Sequence, residues 1–452
     1  MNLAKNATLS YLRTLAKRSL ETHKPAIIGI AGSVGKSSTR NALEAILKDH
    51  FPTQSIGNSE TGIPLGILGM KPESYSTLDW AKMLAKSPLQ GNFLKGTTHL
   101  IAEMGIDDPY PPKNMEYLLT ILKPTIAISL NATATHTMQF EKALSNRQSA
   151  IGEQEKLDMI VRKIAEEDTK IITKSGCKVG IYNADDKNLE EIIKQKTPTS
   201  TKLLSFGSKS TNDISYGVHT VTLDGTNFGL YVKTHNAKPT LITLSFPKLI
   251  LPKEYREVFA ASILAALELG LSLSQIQTSL ETNYVSPKGR SSLLAGINNS
   301  DIIDSTYNAS KVSIEAFLLL IDTLKKDTGR PILFLMGDMR ELGEEAKIEH
   351  EAVAQMLLGV VDYLYLVGPL TREFILPIVQ TQESSFKEIR WFDGPTRAGE
   401  YLKDNLVKNA IVLAKGSQNT IFLEEAVKMI LKNKEDAKEL CRQDEFWMKL
   451  KA

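Results

Sequence analysis

The sequence has little of what marks secreted, membrane-spanning or metal-stabilised chains. Its two cysteines, Cys177 and Cys441, are far apart and form no metal-ligand spacing, so neither a disulfide framework nor a cysteine-based metal site is indicated. No apolar run approaches the ~18 residues that a membrane span needs. The basic N-terminus has no apolar signal-peptide core. These absences predict a soluble cytoplasmic protein without an integral membrane segment.

The chain also lacks an excess of charge of either sign. The chain has 54 basic and 52 acidic residues, a net charge of +2, so no nucleic-acid partner is indicated. Its 452 residues allow two or three domains with large cores, and no internal repeat is evident. We therefore expect a globular protein without a basic surface of the size that binds nucleic acid.

One glycine-rich stretch follows a short apolar run, residues 26–30, and precedes a predicted helix over residues 39–48. It reads GIAGSVGKSS and resembles a phosphate-binding loop, although Ile30 stands where the strict pattern has glycine. Backbone amides and a helix N-terminus suit a phosphate, Lys36 would reach the terminal phosphates, and Ser37 would hold Mg²⁺. The alternative is an ordinary turn that contains a lysine. The expected nucleotide-binding residues are Gly32, Ser33, Gly35, Lys36, Ser37 and Ser38.

Polar residues follow the next predicted strands. Glu103 follows a strand over residues 98–102 and predicts a Mg²⁺ ligand, or else a solvated acid at a strand end. His136 follows a strand over 125–130 and would enter the same cleft, although such a histidine often only caps or packs. Asn183 follows a strand over 177–182. Residues 55–65, rich in turn formers, predict a loop.

The predicted fold class is α/β, with two α/β regions in sequence. A central parallel-sheet ATPase domain with a phosphate-binding loop and a small β insertion is followed by a Rossmann-like C-terminal domain. Alternating strands over 202–247 and a hairpin turn at 224–227 mark the insertion. A hinge is expected at 286–290, where proline and glycine would let the two domains close. The predicted divisions are a basic N-terminal helix over 1–25, a central domain over 26–286, a C-terminal domain over 287–430 and a helical tail over 431–452.

Ten short motifs occur in an order that resembles the Mur ligases of bacterial peptidoglycan synthesis. They are GIAGSVGKSS, GNSETGIPL, EMG, NATATH, EK, NADD, GR, DSTYNA, GDMRELG and KGS. DSTYNA and GDMRELG are most similar to family members that add D-alanyl-D-alanine to a muramoyl peptide. The resemblance, over residues 26–430, implies ATP- and Mg²⁺-dependent amide ligation: a carboxylate is phosphorylated to an acyl phosphate, an amine displaces phosphate, and ADP is formed.

The resemblance also implies roles for individual residues. Lys36 would stabilise the transferring phosphoryl group, and Ser37 and Glu103 would hold one Mg²⁺. His136 matches the histidine that helps hold a second Mg²⁺. Lys156 matches the lysine that is carbamylated into a metal ligand, and its alternative is a solvent-facing helix lysine. The remaining matches are Asn183, Arg290 and Asp304 near the nucleotide, and Asn58, Asn308, Asp338, Glu341, Lys415 and Ser417 near the peptide or the incoming amine.

The sequence departs from the family pattern in three places. Only about 25 residues precede the first strand where the family has a domain that binds the UDP sugar, so that function is either missing or supplied otherwise, for example by a protein partner. The adenine-side H-N-x-x-N motif reads EYREV at residues 254–258, and DSTYNA continues as Ser310-Lys311. Two alternatives therefore stay open: a divergent ligase for another carboxylate and amino acid pair, and a non-catalytic nucleotide-binding assembly module.

Overall fold

A computed structural model describes residues 3–70, 77–90, 92–134, 137–144, 152–233, 238–340, 342–417 and 421–451. The chain forms two compact units. Unit 1 comprises Met1–Gly217, Gly229–Leu244 and Tyr255–Val285, and unit 2 comprises Val218–Phe228, Ser245–Glu254 and Ser286–Ala452. None of the helices in these described ranges is both long and apolar enough to span a bilayer.

The first sheet has nine strands in the order β2-β3-β1-β4-β5-β6-β7-β8-β9. Every pair whose register is defined, from β2 to β7, is parallel. The carboxyl ends of β1, β3, β4 and β5 therefore lie along one edge, where ligands of open α/β sheets bind. The strands are β1 (Ala26–Ala31), β2 (Thr53–Ile56), β3 (His99–Glu103), β4 (Ile126–Ser129), β5 (Val179–Asn183), β6 (Lys202–Gly207), β7 (Ile214–Thr222), β8 (Gly225–Val232) and β9 (Thr240–Pro247).

The helices of unit 1 cover a sheet whose central strands, β1, β3, β4 and β5, are almost completely buried. Ile28 and Ile30 of β1 have no exposed surface, and α2 buries Leu43, Ile46 and Leu47. The apolar strand β1 needs helices on both sides of the sheet, because a strand in a parallel sheet is covered on both faces. The helices are α1 (Leu3–His23), α2 (Lys36–Leu47), α3 (Gly62–Ile67), α4 (Thr77–Lys86), α5 (Met115–Leu119), α6 (Thr137–Glu141), α7 (Glu153–Asp168), α8 (Lys170–Thr173), α9 (Lys187–Lys196), α10 (Tyr255–Glu268) and α11 (Leu273–Asn283).

Unit 2 contains a six-stranded sheet in the order β10-β11-β15-β12-β13-β14, parallel except for β10. The carboxyl ends of β11, β15 and β12 are adjacent. The strands are β10 (Ser292–Ala295), β11 (Asp301–Ser305), β12 (Ile332–Gly337), β13 (Tyr363–Val367), β14 (Glu388–Phe392) and β15 (Ile411–Lys415). The helices are α12 (Lys311–Thr328), α13 (Ala346–Met356), α14 (Leu376–Gln380), α15 (Pro395–Asn405), α16 (Glu424–Met429) and α17 (Glu445–Lys451).

The structure corrects two local predictions. The loop predicted over residues 55–65 is wrong at both ends, because β2 ends at Ile56 and α3 begins at Gly62. Ile56 and Ile63 are buried in the same core, and this packing overrides the local turn preference. The helix after the glycine-rich loop begins at Lys36 rather than at residue 39. Lys36, Ser37 and Ser38 therefore belong to its first turn.

Candidate functional site

The glycine-rich loop is held closely against the end of β4. A Cβ atom at Gly32 would lie 3.0 Å from Leu130 Cβ and 3.2 Å from Asn131 N, and its φ of +140° also favours glycine. Gly35, with φ of 89°, turns the chain into α2. The amide of Ser33 donates to Asn131 O at 2.9 Å. Glycine is therefore required at position 32, where the loop passes Leu130 and Asn131.

The side chain of Asn131 fixes the tip of the same loop. The amide of Val34 donates to Asn131 Oδ1 at 2.9 Å, and Asn131 Nδ2 donates to Val34 O and to Glu257 Oε2, each at 3.3 Å. Glu257 belongs to the EYREV segment that departs from the family motif. This segment thus contacts the phosphate-loop region through a carboxylate, a contact that the sequence alone did not indicate.

Lys36, Ser37 and Glu103 lie together at the carboxyl edge of the sheet. Ser37 Oγ donates to Glu103 Oε2 at 3.0 Å, and Arg40 Nη1 lies 2.6 Å from Glu103 Oε1. Lys36 Nζ donates to the carbonyl oxygens of Gly32 and Ser33, the latter at 3.3 Å. Glu103 is almost completely buried. Its carboxylate is therefore an ordered part of the loop region rather than a solvated acid at a strand end.

The Ser37 hydroxyl and the Glu103 carboxylate together offer part of an oxygen shell for Mg²⁺. Across the described ranges no group of three His, Cys, Asp or Glu side chains is placed to hold a metal. Mg²⁺ usually takes only one or two carboxylates and completes its octahedral shell with water and phosphate oxygens. The Ser37 hydroxyl and the Glu103 carboxylate therefore fit a Mg²⁺ that arrives with a nucleotide.

The other predicted residues of unit 1 have varied surroundings. Asn58 is exposed, and its carbonyl accepts the Gly105 amide at 3.1 Å. Asn183 is buried, and its Oδ1 accepts the Asp185 amide at 2.9 Å. Lys156 forms an ion pair with Glu141, and the lysine side chain is 28% exposed. His136 lies outside the described residues, so its predicted role stays a prediction.

Asp168 is a functional candidate that the sequence reading missed. This last residue of α7 is buried and shares a small pocket with Gly32, Ser33 and Lys36. A signal was present in the sequence, because Asp168 continues the apolar spacing of Ile160 and Ile164 on one face of the helix. An acid on the buried stripe of an amphipathic helix is rare without a function.

In unit 2, the predicted residues at the ends of β11 and β15 come together. Lys415 Nζ donates to Ser305 Oγ at 3.1 Å and to Asn308 O at 3.0 Å, and it lies 5.0 Å from the Phe317 ring centroid. Burial, together with the nearby charge of Arg290, lowers the pKa of Lys415 to about 7, although Asp304 opposes the decrease. The lysine is thus held in a site where an anionic ligand would be strongly favoured.

Asp304 lies beside this lysine with its carboxylate fully buried. Burial raises the pKa of Asp304 to about 6, although hydrogen bonds from Thr306 to Oδ1 oppose the increase. Among the residues that the structure describes, Asp304 Oδ2 has no hydrogen-bond partner. Arg290, predicted near the phosphates, stacks its guanidinium 4.8 Å from the Tyr307 ring centroid. These groups form one polar surface at the end of β11.

Asp338 and Ser417 join the ends of β12 and β15. Ser417 N donates to Asp338 O at 3.0 Å, and Ser417 Oγ accepts the Arg340 amide at 2.9 Å and donates to Ala309 O at 3.2 Å. Asp338 Oδ1 accepts the Thr371 amide at 2.9 Å, whereas burial raises the pKa of Asp338. Glu341 lies outside the described residues. The structure thus brings Asp304, Asn308, Asp338, Lys415 and Ser417 to one edge of the sheet.

The C-terminal tail supports this edge through a buried ion pair. Arg442 Nη2 lies 2.6 Å from Glu424 Oε2, and the same guanidinium donates to the carbonyl oxygens of Thr306 at 2.9 Å and Tyr307 at 3.2 Å. The two charged side chains are 2% and 0% exposed. The tail therefore positions the loop after β11. Nothing in its charged sequence distinguished Arg442 from its solvated neighbours.

Known proteins resemble this chain over most of its length. The Mur ligase, glutamate ligase domain matches residues 289–418. The UDP-N-acetylmuramoyl-tripeptide--D-alanyl-D-alanine ligase of Rickettsia prowazekii is 24% identical over 91% of this chain and 80% of its own length. The enzyme of the same name from Bacillus subtilis is 25% identical over 94% of this chain and 80% of its own length.

Solved structures agree with the predicted fold class. The MurF ligase from Thermotoga maritima, solved in complex with ADP, has a TM-score of 0.70 at 19% identity, covering 95% of this chain and 84% of that one. MurF from Acinetobacter baumannii has a TM-score of 0.68 at 20% identity, covering 92% of this chain and 79% of that one. The resemblance to the Mur ligases and the α/β fold class are thereby confirmed.

We predict that Arg442→Met destabilises unit 2 by about 1–3 kcal/mol, because it breaks a buried ion pair and leaves Lys451, 2.8 Å from Glu424 Oε1, as the remaining partner of Glu424. Urea unfolding at neutral pH measures the change. The control is Arg397→Met, which removes an ion pair to Asp393 whose side chains are 74% and 52% exposed and should cost below about 1 kcal/mol. Equal losses of stability in the two variants would show that the buried ion pair of Arg442 and Glu424 does not stabilise unit 2 more than an exposed pair does.

We predict that Lys415→Met raises the melting temperature at pH 6 by at least about 2 °C, because a buried ammonium is removed. The folded-state pKa of about 7 lies below that of the unfolded lysine. The unfolded state therefore binds more protons at pH values between the two, and the wild type gains stability as pH rises above 7. The advantage of the variant should shrink toward pH 10.

Calorimetry at pH 6, 8 and 10 tests this stability prediction, with Lys403→Met as the control. Lys403 is an exposed lysine of α15, so its removal should leave the pH profile unchanged. An advantage of Lys415→Met that is the same at all three pH values would show that burial of the charge does not limit stability here.

Proposed function

We propose that this chain, a MurF-like Mur ligase, is an ATP-dependent, ADP-forming ligase that joins D-alanyl-D-alanine to the carboxylate of a muramoyl peptide in peptidoglycan synthesis. The observation that carries the proposal is the contact of Ser37 with Glu103 beside Lys36 at the sheet edge. The names of the curated relatives support the reaction and the substrates. Such a reaction takes place in the cytoplasm, where ATP is available.

The phosphate loop accounts for the first half of the reaction. Backbone amides of the loop and the first turn of α2 would bind the phosphates of ATP, and Lys36 would exchange its carbonyl partners for the transferring phosphoryl group. The substrate carboxylate oxygen attacks the γ-phosphorus, the bond from that phosphorus to the bridging oxygen breaks, and ADP leaves. The product is an acyl phosphate. A bound Mg²⁺ would neutralise charge on the phosphates.

We assign the second half of the reaction to the polar edge of unit 2. Lys415, buried and without an acidic ion-pair partner within 4 Å in the described ranges, would bind the carboxylate of the incoming dipeptide. Asp338 and Ser417 would orient its amine. That amine attacks the acyl carbon, inorganic phosphate leaves, and the amine proton passes to solvent or to phosphate. Asp304 and Arg290 remain proposed nucleotide contacts, and Asn308 a proposed contact to the peptide.

The predicted reaction is tested by phosphate release over a matrix of UDP-muramoyl peptides and candidate amines. We expect release only when a muramoyl tripeptide and D-alanyl-D-alanine are both present, with stoichiometric ADP. Strong release with another pair would favour a divergent ligase. The absence of stimulation by any pair, together with tight ATP binding, would favour a nucleotide-binding assembly module.

We predict that Lys36→Ala lowers turnover by about 10²–10³-fold, because it removes a positive charge directed at the transferring phosphoryl group. Steady-state phosphate release measures the loss, and thermal melting checks that the variant folds. Lys48→Ala, which removes an exposed lysine at the other end of α2, should keep wild-type turnover. A Lys36→Ala variant within a few-fold of wild type would contradict the assignment of the phosphate loop.

A further inference from the structure

The carboxylate of Asp168 is buried beside the phosphate loop, where the Gly32 amide and the charge of Lys36 compensate its charge only in part. The residue is 1% exposed, and within the described part of the chain no donor meets full hydrogen-bond geometry at either of its oxygens. Burying a charged carboxylate in this way costs several kcal/mol in free energy of unfolding. Such a residue is a candidate for function because the fold alone would favour an apolar side chain.

The pocket around Asp168 indicates what kind of ligand would compensate this charge. One side of the pocket consists of Gly32, Ser33 and Lys36, and the other consists of the apolar side chains Ile106, Phe140 and Ile164. Burial raises the pKa of Asp168 to about 7, and the positive charge of Lys36 and a hydrogen bond from the Gly32 amide oppose the increase. Lys36 itself donates to the carbonyl oxygens of Gly32 and Ser33. The carboxylate thus lines the same small pocket as the phosphate loop.

Lys156, the predicted carbamylation site, has different surroundings. Its ammonium group forms an ion pair with Glu141, and the two side chains are 28% and 44% exposed. A carbamate on Lys156 would replace this attraction with repulsion between two negative groups. The carboxylate that already lies beside the phosphate loop is the one on Asp168, twelve residues along the same helix.

We propose that Asp168 is a built-in carboxylate ligand for a divalent cation in the nucleotide-bound protein, so that no carbamylated lysine is required. The assignment rests on the proposed ATP-dependent ligation. An aspartate suits this role because Mg²⁺ and Mn²⁺ prefer hard carboxylate oxygens. An aspartate ligand also makes the metal site independent of carbon dioxide, which a lysine must capture to become a carbamate.

The test measures Mn²⁺ binding to the full-length protein with a non-hydrolysable ATP analogue, by electron paramagnetic resonance of free Mn²⁺. We expect two Mn²⁺ ions for the wild type, and for Asp168→Asn at least a tenfold weaker affinity at one of them. Glu155→Gln, which removes an exposed acid on the same helix, is the matched control and should bind as the wild type does. Unchanged binding by Asp168→Asn would overturn the proposal.

A second measurement separates Asp168 from Lys156. Wild-type turnover should be the same in decarbonated buffer and in buffer with added bicarbonate, and Asp168→Asn should lose at least about 100-fold in both. Lys156→Met should keep both Mn²⁺ ions. Loss of one ion from Lys156→Met but not from Asp168→Asn, or wild-type activity that requires bicarbonate, would assign the ligand to a carbamylated Lys156 instead.

The melting temperature of the protein without metal and nucleotide distinguishes a metal-ligand role of Asp168 from a merely structural one. Without metal and nucleotide, Asp168→Asn should melt at or above the wild-type temperature, because it removes a buried charge that its surroundings compensate only in part. A lower melting temperature would indicate a structural role and count against the proposal. If the wild type bound two Mn²⁺ ions but formed no amide with any substrate pair, the proposed reaction would fail while the metal assignment would stand.

Discussion

The close approach of Gly32 to the end of β4 is the constraint on which the candidate nucleotide site depends. A Cβ atom there would press against Leu130 and Asn131, so only glycine lets the loop pass. The contact also fixes where α2 begins, and hence where Lys36 and Ser37 lie relative to Glu103 on the neighbouring strand. A substitution at Gly32 would therefore displace several functional groups at once.

Buried charge concentrates at the end of α7 in unit 1 and at strand ends in unit 2. Asp168 in unit 1 and Asp304, Asp338 and Lys415 in unit 2 are almost or completely buried. Their pKa values shift toward the neutral form, mainly because burial removes water. Such groups lower the stability of the empty protein, and they strengthen electrostatic interactions with a ligand that enters. This trade of stability for binding is expected of an enzyme site.

The ion pair of Arg442 and Glu424 has a different role from these uncompensated charges. Each partner is buried, but Glu424 pairs with both Arg442 and Lys451, and Arg442 also donates to two carbonyl groups of the loop after β11. The pair therefore holds a functional loop in place without facing a ligand. The tail has a structural link to the site even though it supplies none of the proposed ligand contacts.

The sequence by itself determined the strand, loop and helix around Lys36, the α/β class and the positions of Glu103, Asp304, Asp338 and Lys415 at strand ends. These features follow from local signals, because an apolar run, a glycine turn and a polar residue after a strand are each read within about ten residues. The resemblance to Mur ligases likewise rests on the order of short motifs.

The tertiary structure alone decided which polar groups meet and which remain without partners. The pairing of Arg442 with the loop after β11 joins residues more than 130 positions apart, and the contact of Glu257 with Asn131 joins residues 126 apart. The burial of Asp168 beside Gly32, and the conversion of the predicted loop over 55–65 into part of β2 and α3, also depend on distant packing. Apart from the burial of Asp168, which the apolar spacing of α7 indicates, these contacts carry no local sequence signature, because the free energy that favours them arises only when the chain has folded.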